Sequence, residues 1–170
     1  AAVLAAMNLS LDCWLYHPQL DEVAELADAL PGLCIILNHV GSPILGGPCR
    51  GRTEEVFEDW RRRIANVAQQ QNVFIKLGAL PTRMPGFEGD RSLPPGGEEV
   101  ARAWRPWIET CIEAFGPSRS MFESNFPVQK RWCSYQVCWK AFKRLASGAS
   151  AAEKSELFTG AAARAYNISM

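Results

Sequence analysis

The chain of 170 residues is 48% hydrophobic and 21% charged, with 18 Lys+Arg against 18 Asp+Glu. That composition belongs to a globular chain, and its balanced charge gives no long-range field that would draw in nucleic acid. No apolar run approaches the roughly 20 residues that span a bilayer, and residues 1–7 have neither the basic start nor the apolar length of a signal peptide. A cytoplasmic protein without nucleic-acid or membrane partners is therefore the expectation.

Taken in order, the elements alternate between strand and helix. Leu9 to Tyr16 reads as a strand. Leu20 to Leu30 reads as a helix with Leu20, Val23, Ala24, Ala27 and Leu30 along one side, stopped by Pro31-Gly32. Leu33 to Asn38 is a continuous apolar run, the pattern of a parallel strand buried on both faces. After a Gly/Pro-rich loop, Thr53 can cap a helix whose apolar side is Val56, Trp60, Ile64 and Val67. Asn72 to Leu77 supplies the third strand. Residues 78–97, rich in proline and glycine, predict an irregular loop that can act as a lid. Glu98 to Phe115 is helical, with Pro106 expected to kink or divide it. Arg119 to Glu123 is the fourth strand and Tyr135 to Ala146 a helix. Ser150 with Glu153 forms a capping box for a last helix through Tyr166.

The six cysteines include no C-x-x-C pair. Cys13, Cys34 and Cys111 lie inside apolar patterns, where a free thiol acts as a small hydrophobe. Cys133 and Cys138 have no nearby histidine to complete a zinc set.

Four β-α units in series demand parallel strands joined by right-handed crossovers. An open doubly wound sheet and half of a (β/α)8 TIM barrel both satisfy that rule. The Gly-rich phosphate loops usual in the open sheet do not occur, so the half-barrel is preferred. A whole barrel needs about 250 residues. The expected organisation is thus one partial α/β domain over residues 1–170, truncated at the amino end. Its first and fourth strands would have free edges. Self-association, or association with the missing half, is expected.

In such a fold the carboxyl ends of the strands build the site. His17 and His39, the only two histidines, and Asn125 each follow an apolar run at such an end. All three also have structural readings: His39 as a core histidine, His17 as a turn residue before Pro18, and Asn125 as a cap of the turn before Pro127. Glu123 shares a side with Asn125 by period two and is the nearby carboxylate available as a base. Lys76, late in the third strand, and Gln19 are candidate substrate-binding side chains.

The segments His17-Pro18-Gln19, Asn38-His39-Val40-Gly41, Val73-Phe74-Ile75-Lys76-Leu77-Gly78 and Met121 to Val128 resemble the carboxyl-terminal half of amidohydrolase-related proteins. These are predicted metal-dependent hydrolases of the TIM-barrel fold, and the nearest branch contains sugar-lactone and pyrone-dicarboxylate lactonases. The resemblance runs from about Leu9 to Ile168 and implies that the four strands are barrel strands five to eight. It implies metal-ligand or catalytic roles for His17 and His39, with a divalent metal such as zinc in a full-length form. It places Asn125 where relatives carry an aspartate that takes a proton from water, a task an amide cannot perform. The family's His-x-His pair is missing, so two histidines alone make a closed metal site improbable. The implied activity is hydrolysis of a lactone or similar cyclic ester or amide, with a small anionic substrate in the barrel mouth. An inactive binding homologue and a non-functional fragment are the alternatives.

Overall fold

The computed structural model of the chain describes residues 1–81 and 93–169. A short helix, α1 (Ala2–Ala6), precedes the first strand. Strands β1 (Ser10–Cys13), β2 (Cys34–Leu37), β3 (Val73–Leu77) and β4 (Ser120–Phe122) form one sheet in the order β1-β2-β3-β4. All three pairings are parallel, with Ser10 opposite Cys34, Ile35 opposite Val73 and Ile75 opposite Ser120. Helices α2 (Leu20–Ala29), α3 (Thr53–Ala68), α4 (Gly97–Phe115) and α5 (Tyr135–Leu145) connect and flank the strands. They form a layer in chain order, with α2 on α3, α3 on α4 and α4 on α5.

Strand alternation divides the apolar side chains between two faces. Ile35, Leu37, Val73, Ile75, Leu77 and Phe122 join the helices in the main core. The intervening Ile36 and Met121, with Phe74 and Cys34 beside them, form a smaller cluster on the other face. That cluster is completed by Ala161 and Ala165 of the terminal segment. The segment comprises α6 (Ala151–Ser155), a π-turn (Glu156–Gly160) and α7 (Ala161–Ala165). Burial on both faces explains why the second strand reads as an unbroken apolar run.

The amino-terminal ends of the strands are tied by polar staples. Asn72 Nδ2 donates to the carbonyls of Ala27, Leu30 and Leu33 at 3.0–3.1 Å. The Arg119 guanidinium donates to the carbonyls of Ala68, Gln70 and Val73. The carbonyls of Ala27, Leu30 and Ala68 among them lie at the ends of α2 and α3, where no further helical turn supplies a donor.

Several expectations change in detail. The first strand stops at Cys13, and Trp14 and Tyr16 are exposed beyond it. Thr53 is the first helical residue of α3 and makes no side-chain cap; Arg52 occupies the cap position. Pro106 does not divide α4, which runs as one helix of 19 residues. The carbonyl of Pro106 accepts the Thr110 hydroxyl at 2.7 Å. The last helix is interrupted by the π-turn, although the expected Ser150–Glu153 capping box is present. Cys111 is fully buried, whereas Cys13 and Cys34 are half-buried at the edge of the core. Residues 82–92, the bulk of the expected lid loop, lie outside the described residues. Among the described residues, β1 and β4 each have a single strand neighbour.

Candidate functional site

The residues that follow all four strands meet at one cavity of ≈ 390 Å³. Trp14 follows β1, and His39, Ser42 and Pro43 follow β2. Ala79, Leu80 and Pro81 follow β3, while Asn125 and Val128 follow β4. The carboxyl ends of parallel strands are where this class of fold places its sites.

His39 owes its place to an unusual piece of backbone. His39, Val40, Gly41 and Ser42 take φ values of 58°, 47°, 70° and 43°, a left-handed turn of four consecutive residues. The turn is closed by bonds from the Gly41 N–H to the Asn38 carbonyl at 3.0 Å and from the Ser42 N–H to the His39 carbonyl at 2.8 Å. For residues other than glycine this conformation costs roughly 1–2 kcal/mol each, and a β-branched residue such as Val40 is a genuine outlier there. Packing compensates. The Val40 side chain is fully buried, and its carbonyl accepts the buried Trp60 Nε1–H at 2.7 Å. Gly41 lies against Leu20 and Ile64, so closely that a Cβ would stand 3.0 Å from Leu20 Cδ2.

The turn aims two donors of His39 at one carboxylate oxygen. Glu123 Oε1 accepts the His39 backbone N–H at 3.1 Å and also pairs with ring Nδ1. The two side chains are 23% and 15% exposed. A carboxylate on Nδ1 holds the proton there and leaves the Nε2 lone pair for a substrate or a metal. Trp14 meets the His39 ring edge-on, with centroids 6.4 Å apart.

Glu123 is brought close because the residue after β3 is a glycine. A Cβ on Gly78 would fall 2.1 Å from the Glu123 carbonyl oxygen, so this approach tolerates no side chain. Asn125 follows with φ 50°, a conformation asparagine adopts more readily than most residues. Its carbonyl accepts the Gln129 N–H at 2.9 Å. Buried Gln129 in turn donates from Nε2 to the Leu80 carbonyl at 2.9 Å, tying the β4 loop to the β3 loop across the cavity wall.

The structure therefore brings His39, Glu123 and Asn125 together and separates the other candidates from them. His17 is 5% exposed and not on the lining. Its Nδ1 accepts the Ile44 N–H at 3.2 Å, and its Nε2 faces Asp59 Oδ2 at 3.8 Å. Burial lowers its pKa, with Asp59 acting in the opposite sense. His17 thus ties the turn after β1 to the loop after β2, behind the cavity. Lys76 is committed to Asp12, whose carboxylate also accepts the Tyr166 hydroxyl at 3.0 and 3.1 Å. Gln19 Oε1 accepts the Tyr16 N–H at 3.3 Å as a local cap. Neither lines the cavity, so neither is placed to receive a substrate there. Among the described residues, the lining offers no lysine or arginine to an anionic substrate.

Sequence reasoning missed Trp14 and the hold of Trp60 on the turn. The exposed Trp14 one residue beyond the first strand was the available signal. Trp60 read only as a core position. A metal is a separate matter. No group of three or more His, Cys, Asp or Glu side chains able to hold an ion occurs among the described residues. His39 backed by a carboxylate is one donor of a metal-binding type, and one donor does not make a site. The described residues of this chain do not by themselves fit zinc.

The amidohydrolase family model matches residues 1–168. An uncharacterized protein of Sinorhizobium fredii is 39% identical over 165 residues, covering 97% of this chain and 49% of that protein. L-fucono-1,5-lactonase of Burkholderia multivorans is 30% identical over 168 residues, covering 98% of this chain and 54% of the enzyme. A solved amidohydrolase from Burkholderia multivorans with bound zinc superposes with a TM-score of 0.81 at 29% identity, covering 99% of this chain and 56% of that one. The chain thus spans about half the length of the relatives it matches, and its assignment to strands five to eight stays an expectation of the sequence. The chain belongs to the amidohydrolase family.

Proposed function

We propose that this chain forms part of a hydrolase that opens a lactone, or a similar cyclic ester or amide, by attack of water on the ring carbonyl. The observation that carries the reading is the His39–Glu123 pair at a cavity bordered by the ends of all four strands. The lactonase relative supports the substrate class.

The chain's own residues suggest a division of labour. His39 Nε2 takes a proton from the attacking water while Glu123 holds the resulting imidazolium at Nδ1. The water oxygen bonds to the carbonyl carbon, and the side-chain N–H of Asn125 donates to the developing oxyanion. Collapse breaks the bond to the ring oxygen, which takes the proton back from Nε2, so lactone and water give one hydroxy acid. In this scheme Asn125 need not be a base, because His39 supplies that function.

Asn125 also favours a second reading, a binding protein without turnover, since a neutral amide at the cavity can hold a carbonyl without activating water. The two are separated by incubating sugar lactones in isotope-labelled water with the chain joined to a complementary barrel half. The hydrolase reading predicts label in the carboxylate of the product. Ligand binding by calorimetry without any ring opening favours the binding protein instead.

A further inference from the structure

We propose that Cys133 and Cys138 are a reversible oxidation site, a pair of thiols that a hydroperoxide converts into a disulfide behind the cavity wall. The inference is independent of the substrate reading. The start of α5 brings the two sulfurs together. Ser134 is the cap of that helix, its hydroxyl accepting the Val137 N–H at 3.2 Å. Cys133 therefore stands one residue before the cap and Cys138 four residues after it, the two positions whose side chains pack on each other across the first turn of a helix. Apolar side chains usually fill such a pair. Here both are thiols, and each sulfur lies within hydrogen-bonding reach of the other. Both belong to the main core and both are free cysteines.

The pair is not symmetric, and its asymmetry sets the order of attack. Cys133 is 5% exposed and Cys138 fully buried, so an oxidant meets Cys133 first. The Cys138 thiol donating to its sulfur, helped by the Gln129 carboxamide, outweighs burial and draws the Cys133 pKa below its ordinary value. The Cys133 sulfur and burial push Cys138 up, and the charge of Glu123 adds to the same effect. Cys13, Cys34 and Cys111 are all raised by burial. The thiolate is the attacking form, so exposure and charge select the same sulfur. The Cys133 thiolate bonds to one oxygen of hydrogen peroxide, the O–O bond breaks, and hydroxide departs, leaving a sulfenic acid. Cys138 gives its proton to that hydroxide, and its sulfur then displaces a second hydroxide from the sulfenic acid to form the S–S bond. The second hydroxide takes up the proton that Cys133 had released. The two thiols lose two electrons together, and the peroxide becomes two waters.

The disulfide reaches the cavity through Gln129. The Gln129 carbonyl accepts the Cys133 N–H at 3.2 Å, and its own N–H donates to the Asn125 carbonyl at 2.9 Å. Its Nε2 holds the Leu80 carbonyl at 2.9 Å. Asn125 and Leu80 both line the cavity. Bonded sulfurs stand closer together than two thiols in contact, so oxidation draws Cys133 toward α5 and loosens the tie between the β4 and β3 loops.

The test treats the native protein with hydrogen peroxide, then unfolds it, alkylates it with iodoacetamide and digests it with trypsin. Cleavage after Arg131 and Lys140 releases residues 132–140, which hold Cys133, Cys138 and no other cysteine. The expected peptide is unalkylated and two hydrogens lighter than its reduced form, and dithiothreitol added before alkylation returns both thiols. Cys111, buried apart from the pair, should stay alkylated. Cys138→Ser should stop the reaction at Cys133 as a sulfenic acid that dimedone labels, whereas Cys133→Ser should leave Cys138 unlabelled. In the oxidised wild type the Gln129 amide should exchange with solvent at least about tenfold faster. The disulfide is read in the unaltered sequence, so a serine variant that fails to fold does not decide the outcome. A peptide alkylated at both cysteines, after peroxide has consumed a small thiol in a parallel sample, would overturn the proposal. Dimedone on Cys138 rather than Cys133 would overturn the order of attack, and unchanged Gln129 exchange in the disulfide form would overturn its reach to the cavity wall.

Discussion

Replacing Glu123 with alanine tests how the site is held together. Its Oε1 accepts two donors from His39, the backbone N–H and ring Nδ1, in a setting only 15% exposed on the carboxylate side. Hydrogen bonds to a charged group contribute about 1.5–3 kcal/mol each, so the pair is worth roughly 3–6 kcal/mol before compensation. Opposing it is the left-handed strain of His39, Val40 and Ser42, at roughly 1–2 kcal/mol per residue. The two are of the same size, so without the carboxylate the turn relaxes and its strain is recovered. Glu123→Ala should therefore lower the unfolding free energy by only about 2–3 kcal/mol, chiefly the cost of a half-buried His39 N–H left without an acceptor. Glu123→Gln keeps an oxygen acceptor but loses the charge, and should cost about half as much. Urea unfolding at fixed protomer concentration measures both, and hydrogen exchange of the His39 amide reports the turn itself. If Glu123→Ala unfolds within about 0.5 kcal/mol of wild type and the His39 amide keeps its protection, the coupling of turn and carboxylate is wrong.

Gly78→Ala should displace the β4 loop, because its Cβ would meet the Glu123 carbonyl oxygen at 2.1 Å. A loss of about 2 kcal/mol or more is expected in the same unfolding assay, as for other strained or overpacked substitutions. Trp60→Phe removes the donor to the Val40 carbonyl and leaves a buried acceptor unpaired, at about 1–3 kcal/mol. Its His39 ring resonances should shift in NMR spectra although the substitution lies behind the sheet. His17 has a pKa lowered by burial, so the unfolded state takes up a proton that the folded state resists. Stability from this group is complete above the ordinary histidine value of about 6.5 and is lost as pH falls below it. A His17→Gln variant should show a shallower loss of stability with acidification over that window, read from urea midpoints at a series of pH values.

The β-α order was legible because each strand and helix carries its own periodicity, from the unbroken run Leu33 to Leu37 to the spaced Val56, Trp60, Ile64 and Val67 of α3. Strand ends were less legible. The apolar residues Trp14, Leu15 and Tyr16 continue the pattern of β1, but the sheet offers them no neighbour, so hydrophobicity overran pairing. His39 and Asn125 were legible as residues at strand ends, and the structure lines one cavity with both. His17 lies off that lining, held by Ile44 and Asp59 from distant segments that its own sequence neighbourhood does not announce. The pairing of Lys76 was hidden for a similar reason, since its partner Asp12 comes from a different strand. The left-handed turn was hidden altogether. A valine at positive φ runs against local preference, and the turn is held by partners from distant segments, Trp60, Leu20 and Ile64 around Val40 and Gly41 and the Glu123 carboxylate on His39.

His39 is the proposed proton acceptor at the strand-end cavity. Its most direct test is kcat/KM for lactone ring opening by the assembled barrel, wild type against His39→Ala, followed through acid release. Loss of a positioned general base predicts a fall of about 10²–10⁴. Turnover in His39→Ala equal to wild type would contradict it.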